Sequence, residues 1–312
     1  MNESPSGPAA RRALARRLAE PRGGVVSRAI LRRHGIDRNA VRREVAAERW
    51  RLLGTQTVAV HRGALEPRAL RWRATWEIGE RIALLDGVSA LVDAGVTGLD
   101  EPIVHVSVPH TARIRPVDGV RVHKVARGMR PATGSGPPRT GVAVAAVRAA
   151  HWSVSDRQAA FVMCLPVQQR LCTGSQLLDA VSHTRGRTRR AFVLRIAHDI
   201  ADGAHGLGEL DVVEACMRRG LPRPSRQVVR RTSLGRAYLD IGWEEARLAV
   251  EVDGAGHAAG LEGLRDSLRQ NAVQLESDEL VLRVDLLGWR LDREPYLRQI
   301  CTASWSRVHR AA

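Results

Sequence analysis

Lysine is almost absent from this chain: Lys124 is the single one among 49 basic residues, the rest being arginine. Some of that bias reflects GC-rich coding, so abundant arginine alone is weaker evidence for a nucleic-acid partner than mixed basic residues. Cysteine is scarce too. Cys164, Cys172, Cys216 and Cys301 show neither CxxC nor zinc spacing, and they read as buried thiols in a reducing cytoplasm. No run of 18 apolar residues occurs, so the sequence offers no membrane span. The opening MNESPSGPAARRALARR has no apolar core of the kind a secretory signal needs. What remains is a 312-residue chain with 44% hydrophobic residues, enough for real cores and for two or three domains.

The net charge of +16 is unevenly spread. Residues 1–75 carry 17 Arg against 6 acids, a net of +11, which leaves +5 for the other 237 residues. A basic end of this kind is the electrostatic footprint of phosphate binding, while residues 1–20 alone also fit a flexible basic arm. Ser27 is placed to cap a short helix over 28–35, RAILRRHG, that stops at Gly35. Asp37 is placed to cap a second helix, RNAVRREVAAE, with Ala40, Val41 and Val45 at helical spacing. Two short strands follow, Trp50–Leu53 and Thr57–His61, around Gly54.

Helix, glycine turn, helix and a two-stranded wing describe a winged helix-turn-helix over 21–70, with a helical hairpin packed inside the protein as the plainer alternative. In that reading Arg38, Asn39, Arg42 and Arg43 of the second helix meet base edges in double-stranded DNA. Arg49 and Arg51 on the wing meet phosphates. The segment resembles the N-terminal winged domain of AbiEi-family antitoxins of type IV toxin–antitoxin systems, which implies a transcriptional regulator and a cognate toxin as partner.

Residues 71–200 read as a connecting α/β module without evident chemistry. An apolar stripe through Trp76, Ile78, Ile82, Leu84 and Leu85 predicts one helix over 70–95. Strands follow at 104–108 and 120–122, with His105, His110 and His123 on or beside them in no zinc pattern. A Gly/Pro/Ser-rich loop, 128–141, is expected to separate two lobes, and helices are expected at 141–150, 155–164, 175–182 and 189–202.

Chemistry concentrates at 238–257, YLDIGWEEARLAVEVDGAGH. Two strands joined at Glu244–Glu245 place Glu251 and Asp253 on one face, opposite Val250 and Val252. Leu239 and Ile241 share a face of the first strand, leaving Asp240 on the other. Paired, the strands crowd three carboxylates together, and a divalent cation relieves their repulsion; Mg²⁺ or Mn²⁺ suits such oxygen ligands. A solvated hairpin face is the plainer reading.

With a preceding helix, the strand RQVVRRT, a helix over 261–276 and the strand 280–284, this run resembles the PD-(D/E)XK restriction-endonuclease-like fold, near the very-short-patch-repair (Vsr) branch. The resemblance spans roughly 200–290. It implies an αβββαβ core in a C-terminal domain, 201–312, of an α+β or α/β multidomain protein. It also implies Mg²⁺-dependent DNA nicking or cleavage, with Asp240, Glu251 and Glu209 as metal ligands and Asp253, His257 and Gln227 completing the catalytic set. Glu209 equally complements the dipole of its own helix. Arg265 and Arg269 would face the DNA backbone or back up the site. The usual third signature residue is Lys, and Asp253 stands there; Vsr-branch relatives also lack it and carry His nearby. The alternative is an antitoxin or regulator whose nuclease-like domain does not cut.

Overall fold

The structure is a computed structural model that describes residues 7–126, 129–132, 134–186, 188–201, 207–253, 268 and 271–311. It is a mixed α/β protein with three small sheets among the described residues, and the chain divides into two compact units, Met1–Trp152 and Ser153–Ala312.

The first unit begins with helix α1 (Pro8–Ala19) and a short 3-10 turn. The expected arm is therefore helical from Pro8 onward, because Ala15 and Ala19 are fully buried and Leu14 and Leu18 pack beside them. Small and branched apolar residues four apart give this arginine-rich helix an inner face. Strand β1 (Val25–Ser27), α2 (Arg28–Arg33), α3 (Arg38–Ala46), β2 (Arg51–Leu52) and β3 (Thr57–Ala59) follow. The strands form an antiparallel sheet in the order β1-β3-β2. Both helix caps are as expected: Ser27 accepts from Ile30 N at 3.1 Å and Asp37 from Ala40 N at 2.7 Å. Val26, Leu31, Ile36, Val41, Trp50 and Val58 fill the core beneath α2 and α3.

The single helix expected over 70–95 is broken. Helix α4 (Pro67–Gly79) ends at Gly79, at φ 143°, where Ile82 N and Ala83 N both bond back to the Gly79 carbonyl. The apolar stripe continues as β4 (Leu84–Leu85) and then α5 (Gly87–Asp93). Strand β4 pairs antiparallel with β5 (Val104–Pro109), which pairs parallel with β6 (Val120–Val125). Helix α6 (Val142–Trp152) closes the unit. Segment 128–141 does not divide the chain into lobes. Leu85 N donates to Pro138 O at 2.8 Å and Thr140 N to Leu85 O at 2.9 Å, so it is tied into the first unit, and the division falls after Trp152.

The second unit contains α7 (Asp156–Gln168), α8 (Gly174–His183) and α9 (Arg190–Ala201), close to the expected bounds. Helix α10 (Leu207–Arg218) leads into β7 (Ser225–Thr232), β8 (Gly235–Trp243) and β9 (Leu248–Asp253). A helical stretch at 271–276 (α11) precedes β10 (Leu280–Asp285), α12 (Leu286–Leu291) and α13 (Glu294–Ala311). The sheet order is β10-β9-β8-β7, with β10 parallel to β9 and the other pairs antiparallel. One buried cluster joins Val212, Cys216, Ile241, Trp243, Leu248, Val250 and Val252 to Trp289, Leu297 and Ile300. A second joins Val228, Ala237, Leu239, Ala249 and Val281 to Val273 of α11. No helix among the described residues is long and apolar enough to cross a membrane.

Candidate functional site

Helix α3 presents Arg38, Asn39, Arg42 and Arg43 to solvent while Ala40, Val41 and Glu44 are buried beneath them. Residues 38 and 42, and 39 and 43, are one turn apart, so the four side chains form two adjacent rows on one surface. Among the described residues none of the four is held by a carboxylate. Buried Glu44 engages Arg49 at 2.6 Å and Arg12 at 3.4 Å instead. Arg49 beside Glu44 holds that carboxyl below its ordinary pKa against the opposing effect of burial. Arg51 donates to Gly63 O at 3.2 Å. Arg49 and Arg51, expected to meet phosphates, are therefore engaged within the protein.

The turn between β2 and β3 is also engaged. Glu77 of α4 accepts from Thr55 N (2.8 Å), Gln56 N (2.9 Å) and Thr57 N (2.7 Å), and from the hydroxyls of Thr55 and Thr57. Arg73 donates to Leu53 O at 2.9 Å from the same helix. Gly54 lets Glu77 approach the turn closely: a Cβ there would lie 2.5 Å from Glu77 Cδ, so the carboxylate would have to shift. A turn fastened along its length to α4 is not an open wing tip, which leaves α3 as the exposed basic element of this segment.

In the second unit, β8 and β9 pair from Trp243–Leu248 to Ile241–Val250 and then diverge. The next residues in register are Asp240 and Glu251. Asp240 Oδ2 instead accepts from Val252 N at 2.8 Å, replacing a ladder bond with a side-chain bond. On the other edge of β8, the β7 pairs run on both sides of Gln227 and Asp240 but skip them, and exposed Gln227 adopts φ 51°. The strand turns over at this point, so Leu239 and Ile241, expected on one face, enter different buried clusters.

The carboxylates of Asp240, Glu251 and Asp253 do come together. Burial first, then the charges of Asp240 and Asp253, push the Glu251 carboxyl up to about 8. A carboxylate driven that far is mostly protonated at neutral pH. Asp253 is held by Arg283, which lies opposite Glu251 on β10 and reaches Asp253 with Nε at 2.9 Å and Nη2 at 3.0 Å. Glu209 is buried in α10 and paired with Arg226 of β7 at 2.9 Å; it is not among the charges acting on Glu251. His257, Arg265 and Arg269 lie outside the described residues.

These contacts test the divalent cation. Asp253 faces a bidentate guanidinium, Glu209 a second one, and Asp240 a backbone amide. Among the described residues no group of three His, Cys, Asp or Glu side chains is disposed to hold a metal. The described donors do not fit Mg²⁺ or Mn²⁺ as arranged, because Arg283 takes both oxygens of Asp253 and Arg226 takes an oxygen of Glu209. Arg283 and Arg226 were not anticipated from the sequence. Arg283 could have been found from the strand LVLRV: pairing it in register with LAVEVD sets Arg283 against Glu251.

The region without evident chemistry holds a buried polar knot. Asp86 is fully buried and accepts from Ser107 Oγ (2.5 Å), Thr140 Oγ1 (2.8 Å) and Arg148 Nη1 (2.5 Å). Beside it His105 and His123 share a hydrogen bond of 3.0 Å, and His123 stacks on Trp152 with ring centres 3.4 Å apart. Burial pushes His123 down to about 3 and lowers His105 as well. Both half-buried rings are neutral at physiological pH.

No family model matches the chain, and no curated protein matches it. Among solved structures the chain is similar to the RV2827C protein from Mycobacterium tuberculosis, with 17% sequence identity and a TM-score of 0.39, over 63% of this chain and 80% of that one. At that TM-score the likeness carries no statement about fold or function.

Proposed function

We propose that this protein binds double-stranded DNA through a winged helix-turn-helix formed by α1–α3 and the β1-β3-β2 sheet, with α3 as the recognition helix. The observation that carries this reading is the exposed row of Arg38, Asn39, Arg42 and Arg43, which has no carboxylate partner among the described residues, set against neighbouring arginines that are tied to Glu44. Arg and Asn side chains on one helix face suit guanine and adenine edges in a major groove. The turn at 53–57 serves here as a brace for the motif rather than as a groove contact.

The order helix, three antiparallel strands, helix, parallel strand in the second unit supports the restriction-endonuclease-like core, and the arginine pairs on Asp253 and Glu209 favour a domain that does not cut. The protein is thus an AbiEi-like antitoxin or transcriptional regulator, working with DNA and a cognate toxin. A second reading, Mg²⁺-dependent nicking by Asp240, Glu251, Asp253 and the residues outside the described set, is favoured by the crowding that raises Glu251. Fluorescence anisotropy on duplex DNA tests the first reading. Arg42→Ala with Arg43→Ala should weaken binding and flatten its salt dependence by about 0.9 per lost phosphate contact, or cost about 1–3 kcal/mol at particular base pairs. Unchanged binding sinks it. A supercoiled-plasmid assay with Mg²⁺ or Mn²⁺ against EDTA separates the two: nicking lost in Glu251→Gln supports the enzyme, and intact plasmid supports the regulator.

A further inference from the structure

The β7–β8 hairpin has two unlike faces. Val228, Ala237 and Leu239 are buried against Val273 of α11, and Arg230 on that side bonds Glu279 at 2.6 Å and Glu244 at 3.0 Å. The alternate cross-strand pairs are Val229 with Tyr238 and Arg231 with Arg236. These face outward: Tyr238 is 63% exposed and Val229 47%, and both arginines are exposed. Like charges placed directly opposite across a strand pair repel, and a sheet without a use for them avoids the arrangement. Acids are within the hairpin's reach, yet they serve other groups. Glu244 and Glu279 take Arg230, and Glu276 fastens the turn by accepting from Ser233 N at 2.8 Å. Among the described residues Arg231 and Arg236 have no carboxylate partner.

We propose that this outward face binds single-stranded nucleic acid, with Tyr238 as a stacking platform for a base and Arg231 and Arg236 on adjacent phosphates. The spacing suits it. Arg236 and Tyr238 are two residues apart on one face of one strand, roughly 7 Å, which is about the repeat of an extended nucleotide backbone. An aromatic ring beside a positive groove is the pattern by which proteins hold unpaired strands without reading sequence. The anionic strand also removes the repulsion between the two guanidiniums, a charge complementarity that an apolar partner would not provide. The hairpin does not need to reorganise: its turn is fixed by Glu276, and its inner face is packed. This surface extends the DNA-binding reading but stands on a different element from α3.

The test is anisotropy of the full-length protein with an oligothymidylate of about 16 nucleotides, long enough for one such site, and with a duplex. Tyr238→Ala should weaken the single-strand complex by about 5- to 150-fold, the range for one lost stacking contact, while Tyr238→Phe keeps most of the affinity. Arg231→Gln with Arg236→Gln should reduce the single-strand salt slope by about 1.4, two contacts at about 0.7 each. Because the arginines repel, this double variant should melt no lower than the parent, so a folding defect does not account for the loss. Arg42→Ala with Arg43→Ala should weaken duplex binding and leave the oligothymidylate complex intact. Single-strand affinity and salt slope unchanged in the Tyr238 and arginine variants, or no binding by the parent, overturns the proposal. Loss of duplex binding in the α3 variant stands or falls separately.

Discussion

Replacing Glu77 by Ala removes one carboxylate that five donors share. Three are the backbone amides of Thr55, Gln56 and Thr57, and two are the threonine hydroxyls, all between 2.7 and 3.2 Å. A hydrogen bond to a charged group contributes about 1.5–3 kcal/mol net, but not every one of these is lost at full value. Thr55 and Gln56 are exposed, so water re-satisfies their donors. Thr57 is fully buried, and both its amide and its hydroxyl are left without the carboxylate. Counting the two Thr57 donors at about 1–2 kcal/mol each and the exposed ones near zero gives a loss of about 2–4 kcal/mol. Glu77→Gln keeps one acceptor and turns an amide group toward the donors, so about half that loss is expected.

Protonation gives an independent check. Partial burial pushes the Glu77 carboxyl up, but donors from Thr57, Gln56 and Thr55 outweigh it, and its pKa is lowered overall from 4.5. A carboxyl lowered in the folded state stabilises above its unfolded pKa, and the contribution fades as pH falls through the folded value. The parent should therefore lose stability relative to Glu77→Ala on acidification below about pH 4.5. Urea unfolding reads the difference, and amide hydrogen exchange at 55–57 shows whether the turn has been freed. A Glu77→Ala variant within about 0.5 kcal/mol of the parent, the usual range for a neutral surface change, would refute the clamp. Unaltered exchange at the three amides would do the same.

Asn39→Ala should lose affinity at particular base pairs rather than uniformly, in competition binding against single-base variants of a selected site; a uniform loss assigns Asn39 to phosphates. Millimolar Mg²⁺ should leave the parent's melting temperature unchanged, whereas Arg283→Gln should gain a metal-dependent rise, because a ligand specific to the folded state stabilises it. A rise in the parent that Glu251→Gln abolishes would instead favour the nicking enzyme. Acidification should destabilise the first unit through His123 and His105. Their folded pKa values are lowered from 6.5, His123 to about 3, so the unfolded chain binds more protons in that window and stability falls as pH drops through it. The expected slope is at most about 1.4 kcal/mol per pH unit for each ring, read by denaturant unfolding; His123→Gln should flatten it.

Local signals in the sequence carried much of the first unit. Ser27 and Asp37 are caps because a short oxygen-bearing side chain before an apolar helical pattern has one favourable role. The apolar stripe at 76–85 misled because periodicity does not reveal where a chain reverses. Gly79, in a backbone region that favours glycine, turns the stripe from helix to strand. The arginines of α1 hid its inner face for a related reason: composition suggests an arm, and only the spacing of Leu14, Ala15, Leu18 and Ala19 suggests packing. In the second unit, alternation placed Glu251 and Asp253 together correctly. It failed at Leu239 and Ile241, since the positive φ of Gln227 and the side-chain bond from Asp240 interrupt the pleat that alternation assumes. Arg283 was missed because parallel pairing joins segments about thirty residues apart; only once LVLRV is laid in register against LAVEVD does it fall opposite Glu251.

The dominance of arginine bears on both halves of the proposal. A guanidinium stays charged and offers a planar fork that grips a carboxylate with two bonds, as Arg283 does on Asp253. Lysine offers a single mobile charge, leaving oxygens open to a cation. In the second unit arginine therefore does more than balance charge: it occupies the ligand directions of Asp253 and an oxygen of Glu209. On α3 and on the outer face of the β7–β8 hairpin no acid among the described residues answers the same side chain, and the proposed binding uses its open fork for phosphates and base edges. Whether an arginine locks or binds here depends on the acid in register with it: present for Arg49, Arg226, Arg230 and Arg283, absent among the described residues for Arg42, Arg43, Arg231 and Arg236. A composition count treats these two groups alike, and only the strand and helix registers separate the arginines that meet a carboxylate from those that meet none among the described residues.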